Sequence, residues 1–198
     1  MDLVNVLLDH AKPAVEVLRT SGRVDAARLE TLMAISARHV EAAYLGVELF
    51  QEPRSVDSVV STAAVETAGL VVVFGSSMAS IDLCASSLLR WLHREPTKGQ
   101  EHSLKGLLRW LDEGKVFVPT AFDDWLDQVR SDKASLLAEF RHDVVHQVLR
   151  QSVEVQIAVG NRKAIQREGD EDWYQPDPFP PFAEVCWLLF WGAFAEAS

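Results

Sequence analysis

The chain has 198 residues, of which 48% are hydrophobic and 24% charged, and its formal net charge is −10. These values fit one globular domain that buries a core without disulfides, and they exclude disorder as the dominant state. The acidity excludes a protein that grips nucleic acid over its whole surface, so any RNA contact must sit in a small cleft with a field of its own.

Leu3 to Arg19 carries apolar residues at helical spacing, and Pro13 predicts a bend or a restart within it. Thr20-Ser21-Gly22 is a break. Val24 to Phe50 is a long, Ala-rich helical pattern that Pro53 ends. Ser55 is expected to cap the next helix, which runs towards His93 and is the longest in the protein. Its middle, Leu70 to Phe74, has strand propensity. Ala, Ser, Met and Leu nevertheless continue at helical spacing through Leu92, so one helix is expected throughout. Gly69 and Gly75 each weaken a helix by ~1 kcal/mol relative to Ala, and both are read as points of close approach by a neighbouring helix. The uncharged stretch Thr67 to Ile81 is shorter than the ~18 residues that suggest a membrane span, and is read as a buried helix.

Glu95 to Glu101 reads as a loop, Ser103 to Leu111 as a short helix and Gly114 to Val118 as a connector. Thr120 opens an N-cap pattern for a helix through Gln128, and Ser131 or Asp132 caps a helix to about Leu149. The period then changes. Val153, Val155, Ile157 and Val159 alternate with more polar residues as a strand does, Gly160-Asn161 reads as a two-residue hairpin turn, and Arg162 to Arg167 returns. Gly169 to Pro181 is a loop. Phe182 to Ala195 is a helix that is apolar all round at Trp187 to Trp191, so it needs burial on more than one side, within the bundle or at a subunit interface. The expected fold is all-α: one domain over residues 1–198, with N-terminal helices in 1–53 and a helical bundle core in 55–198 that carries an inserted β-hairpin at about 152–167.

Met1-Asp2-Leu3 has an acid where a signal peptide has basic residues. Cys84 and Cys186 lie in apolar runs and read as buried free thiols of a reducing compartment, so a cytoplasmic location is expected. The six tryptophans read as core or interface anchors, because no basic cluster lies among them to make a stacking platform for bases. No Gly-rich phosphate loop and no Gly-x-Ser-x-Gly nucleophile motif is present.

The segment that carries chemistry is Glu139-Phe140-Arg141-His142-Asp143-Val144-Val145-His146-Gln147. It puts an Arg, two His and an Asp into six positions of one expected helix, with Val144, Val145 and Val148 as its apolar face. Arg141, a polar neighbour in His142, and His146 after four intervening residues resemble the signature of the HEPN superfamily, which lies late in a helical bundle. The long Ala/Ser-rich helix before the motif and the helix after it resemble that family's layout, over roughly Ser55 to Ala195. The resemblance implies a four-helix bundle that forms homodimers, with two motifs across a shared cleft, and a metal-independent endoribonuclease that needs no cofactor. It also implies a toxin or phage-defence setting, with RNA as substrate and an antitoxin protein as partner. Arg141 is then the group that binds phosphate and stabilises transition-state charge. His146 moves a proton, as suits a side chain whose unperturbed pKa is about 6.5. His142 is a second proton carrier or a positioning donor. The sequence departs from the family in having His142 where Asn is usual after the Arg, and Val148 where some members carry a modified Tyr.

On an ideal helix Arg141 and His146 are about 140° apart, so a long stem, a kink or a second subunit must bring them together. Asp143 is a supporting residue. Asp82, an acid in an apolar stretch, needs a cation or donor and is expected to face Arg141 or the histidines. Two other readings stay open: a catalytically inactive HEPN-like domain that binds a nucleotide or protein, its polar residues forming a buried network, and a metal-binding bundle using His142-x3-His146.

Overall fold

The computed structural model describes residues 2–22, 25–53, 61–92, 103–147, 154–157, 162–166 and 171–197, with side chains for all of these except 145–147 and 154–157. The elements are α1 (Leu3–His10), α2 (Lys12–Thr20), α3 (Ala26–Gln51), α4 (Thr62–Trp91), α5 (Leu104–Asp112), a 3-10 turn (Thr120–Phe122), α6 (Asp123–Val129), α7 (Asp132–Gln147), β1 (Glu154–Ile157), β2 (Lys163–Gln166) and α8 (Phe179–Glu196). The fold is an all-α bundle with one small antiparallel hairpin. Pro13 marks a restart: the helix breaks at Ala11, and Pro13 sits in the first turn of α2, where no intrahelical donor is required.

The frame is the antiparallel pair α3 and α4, which cross at a glycine pair. A Cβ on Gly46 would lie 2.7 Å from the Val73 nitrogen and 2.8 Å from the Gly69 oxygen. A Cβ on Gly69 would lie 2.7 Å from the Phe50 nitrogen and 2.8 Å from the Gly46 oxygen. The two backbones therefore touch, and Gly69 does what the sequence predicts. Gly75 does not: its Cβ would meet nothing within 4 Å. The segment Leu70 to Phe74 is helical, with Leu70, Val73 and Phe74 buried by neighbouring helices. Among the described residues α4 is the one helix long and apolar enough to cross a membrane, and 56% of its most apolar window is buried inside the fold.

The C-terminal helix α8 runs through the middle of the molecule and touches α2, α3, α4 and α6. Most of its apolar surround is met within the chain: Trp187, Phe190, Trp191 and Phe194 are buried, while Leu188 and Leu189 are partly buried. Phe122, Trp125 and Trp91 close an aromatic cluster around Phe190 and Phe194. Trp173, by contrast, is exposed. Cys84 and Cys186 are free and buried, and burial raises both thiols, Cys186 to about 12.

Trp187 donates from Nε1 to the Ser36 hydroxyl at 2.8 Å, and Ser36 donates in turn to the Met33 carbonyl at 2.8 Å. Both side chains are fully buried. Ser36→Ala strands the indole N–H, so unfolding in urea should show a loss of about 1–3 kcal/mol, the cost of an orphaned buried donor.

Several expected boundaries move. Thr120 is not a side-chain cap but part of the 3-10 turn that leads into α6. The Pro-rich loop ends three residues early, because Pro180 and Pro181 occupy the first turn of α8. The described N-cap of α4 is Ser61, whose side chain accepts from Ala64; the expected cap Ser55 lies outside the described residues, as do the loop at 95–101 and the end of the motif helix at 148–149. The hairpin pairs Ile157 with Lys163 and Val155 with Ile165. A two-residue turn at Gly160-Asn161 would pair Ile157 with Ala164, so the register is one residue away from that turn; residues 158–161 themselves lie outside the described residues.

The hairpin is pinned to the bundle by polar groups. Gln51, at the end of α3, accepts from the Lys163 N–H at 2.8 Å and donates to the Lys163 carbonyl at 3.1 Å and to Asp177 at 3.0 Å. Lys163 pairs with Glu66, and Arg162 with Asp177. Ile165 and Tyr174 exchange two backbone hydrogen bonds of 2.8 Å, and the Tyr174 ring packs edge-on to Phe140 at 5.1 Å.

Candidate functional site

The motif helix α7 buries Ala134, Leu137, Phe140 and Val144, a stripe at helical spacing. Ser131 is its cap, accepting from the Ala134 N–H at 3.4 Å. Phe140 stacks on Phe74 of α4 with ring centroids 5.0 Å apart and planes 15° apart. That contact sets the rotation of α7, and so places Arg141, the next residue, beside α4.

The expected partner of Asp82 is the one observed. Its Oδ2 lies 3.8 Å from Arg141 Nη1, and its Oδ1 accepts from the Leu104 N–H at 2.8 Å. Asp82 therefore joins three helices: it stands on α4, satisfies an orphan donor at the start of α5, and faces Arg141 on α7. A carboxylate at a helix N-terminus is also favoured by the helix dipole. The ion pair is longer than a hydrogen bond, so the guanidinium keeps donors for another anion. Arg141 has 49% of its side chain exposed. His142 is exposed beside it and Asp143 is half-buried. The fully buried polar network that the sequence also allows is not what forms at Arg141. His146 belongs to α7, but its side chain lies outside the described ones, so the predicted convergence of Arg141 with His146 is not placed. Among the described residues no group of three His, Cys, Asp or Glu side chains is placed to hold a metal ion.

Next to Asp82 and Arg141 a cleft of about 530 Å³ separates α5 from α7, floored by Met78 of α4. Leu104, Leu108, Val129, Ala134 and Ala138 make its lining mainly apolar. Lys105, Arg109 and Asp112 line it from α5, and Glu113 from just past its end. The helices run in opposite directions across it, because Leu104 meets the Arg141 end through Asp82 while Asp112 meets Arg130, just before α7. Sequence reasoning missed this cleft and the α5 N-terminus as the second partner of Asp82. The available signal was the Ser103 cap followed by a short helix with Leu on one face and Lys105 and Arg109 on the other. No family model matches the chain, and no curated protein or solved structure matches it either.

Proposed function

We propose that the chain is a metal-independent endoribonuclease of the HEPN type, acting in the cytoplasm as a homodimer, in a toxin–antitoxin or phage-defence role. The observation that carries this reading is Arg141: a half-exposed guanidinium, 3.8 Å from Asp82 and followed on α7 by an exposed His142. A guanidinium so placed can take a phosphate bidentately and stabilise the charge that grows on it as the ribose 2′-OH attacks. The 2′-oxygen forms a bond to phosphorus and its proton goes to a histidine. The bond from phosphorus to the 5′-oxygen breaks, and that oxygen takes a proton from the second histidine. His146 and His142 are the residues assigned to these two transfers. The products are a 2′,3′-cyclic phosphate and a 5′-hydroxyl, and no cofactor takes part.

The ends of the products test this reading. RNA cut by the purified protein in excess chelator should carry a 2′,3′-cyclic phosphate at the 3′ end of each upstream fragment and a 5′-hydroxyl on each downstream one. Cleavage that chelator stops, or that leaves 3′-hydroxyl ends, would overturn it. A second reading has an observation of its own. Asp82 already employs Arg141 in tying α4, α5 and α7 together, which favours a catalytically inactive HEPN-like domain that binds a nucleotide or a protein. Intact RNA after prolonged incubation would favour that one.

A further inference from the structure

We propose that the cleft between α5 and α7 binds a small amphiphile, a carboxylate on an unbranched aliphatic tail, with the head on Lys105 and Arg109 at the rim and the tail on the floor. This goes beyond the ribonuclease reading and does not depend on it.

The cleft exists because α7 turns small residues, Ala134, Ser135 and Ala138, towards it, while α5 and α7 each pack on α4. Its volume of about 530 Å³ is in the range of small-molecule sites. The apolar lining is aliphatic: Met78, Leu104, Leu108 and Val129 with the two alanines, and among the described residues no aromatic side chain lines it. A planar ring would find no ring to stack on there. A flexible chain gains dispersion contacts along the floor, including those of the adaptable Met78 thioether. On α5 the pairs Leu104-Lys105 and Leu108-Arg109 repeat at a spacing of four. That spacing sets two rows side by side, leucines towards the floor and cations at the exposed rim. Among the described residues neither Lys105 nor Arg109 has an ion-pair partner, whereas the acids of the lining do, Asp112 with Arg130 at 2.9 Å and Glu113 with Lys115. The Lys115 hydrogen bond, and last of all the field of Arg109, holds the Glu113 carboxyl below its ordinary range. Four cations thus surround two acids on a chain whose net charge is −10, and this local excess draws an anion. Side chains four apart on a helix are neighbours, so one carboxylate can take donors from both Lys105 and Arg109, the Arg109 fork being bidentate. Asp112 and Glu113 close by favour a singly charged head over a dianion.

The test titrates the purified full chain with decanoate, below the concentrations at which it forms micelles, by isothermal titration calorimetry, with folding read by circular dichroism. Decanoate should bind saturably, with one molecule per chain. Decanol, which lacks the charge, and acetate, which lacks the tail, should each bind more weakly by about tenfold or more. Decyl phosphate, with its second charge, should also bind more weakly than decanoate. Arg109→Gln should weaken decanoate about tenfold, as the loss of a charge-assisted hydrogen bond does, and leave decanol unchanged. Ala138→Phe fills the cleft from an exposed position and should weaken both. No saturable binding of decanoate by the wild type overturns the site. So does equal affinity for decanoate and decanol, or a decanoate affinity that is unchanged in folded Arg109→Gln or folded Ala138→Phe. Tighter binding of decyl phosphate than of decanoate overturns the carboxylate head.

Discussion

Gly46→Ala and Gly69→Ala should each lower the stability of the chain by about 3 kcal/mol or more, near the upper end of overpacking costs. The new methyl group at either position would stand 2.7–2.8 Å from backbone atoms of the facing helix. No side-chain tip can swing away from it, so α3 and α4 must separate. That separation also opens the contacts of α8, which packs on both helices. Gly75→Ala is the internal control, because its Cβ meets nothing within 4 Å and alanine is the better helix former by about 1 kcal/mol. Urea unfolding followed by circular dichroism should therefore move in opposite directions for Gly69→Ala and Gly75→Ala, although both glycines lie on the same helix. Equal midpoints for these two variants would show that α3 and α4 do not cross where described.

Arg141→Ala should reduce RNA cleavage by about 10²- to 10³-fold, the loss found when a transition-state charge stabiliser is removed. Its effect on folding should be small. The Asp82 pair is 3.8 Å long and its arginine is half-exposed, and the mostly buried Asp82 keeps its bond from the Leu104 N–H, so the loss should be about 1 kcal/mol. Arg141→Lys keeps the charge but not the bidentate fork, so it should recover part of the rate. A purely structural Arg141 would give the reverse pattern, with a marked loss of stability that lysine restores.

What could be read from the residues follows from what each signal depends on. Helices α3, α4 and α8 were legible because their patterns run for many turns, and helical spacing outweighed the strand propensity of Leu70 to Phe74. The boundary at Phe179 was not, since Pro180-Pro181 looks like a loop signal until the first turn is seen to tolerate proline. The hairpin was legible from its alternation, but its register depends on pairing that Gly160-Asn161 alone does not dictate. Gly69 and Gly75 look alike in sequence; only the path of α3 distinguishes them. At the site, Asp82 could be matched to Arg141 because a partly buried acid demands a partner. Its second bond, to the Leu104 N–H, was hidden because backbone donors at a helix start carry no residue signature. The cleft was hidden for a similar reason: a gap between α5 and α7 is a property of two helices leaning on a third.

The most direct test of the ribonuclease reading compares wild type, Arg141→Ala and His146→Ala on the same unstructured RNA, at equal concentration and in excess chelator, with folding checked by circular dichroism. The account predicts cleavage by the wild type and at least a hundredfold loss in both folded variants. Equal cleavage by all three, or none by the wild type, would contradict it and leave Arg141 as a tie between α7 and α4.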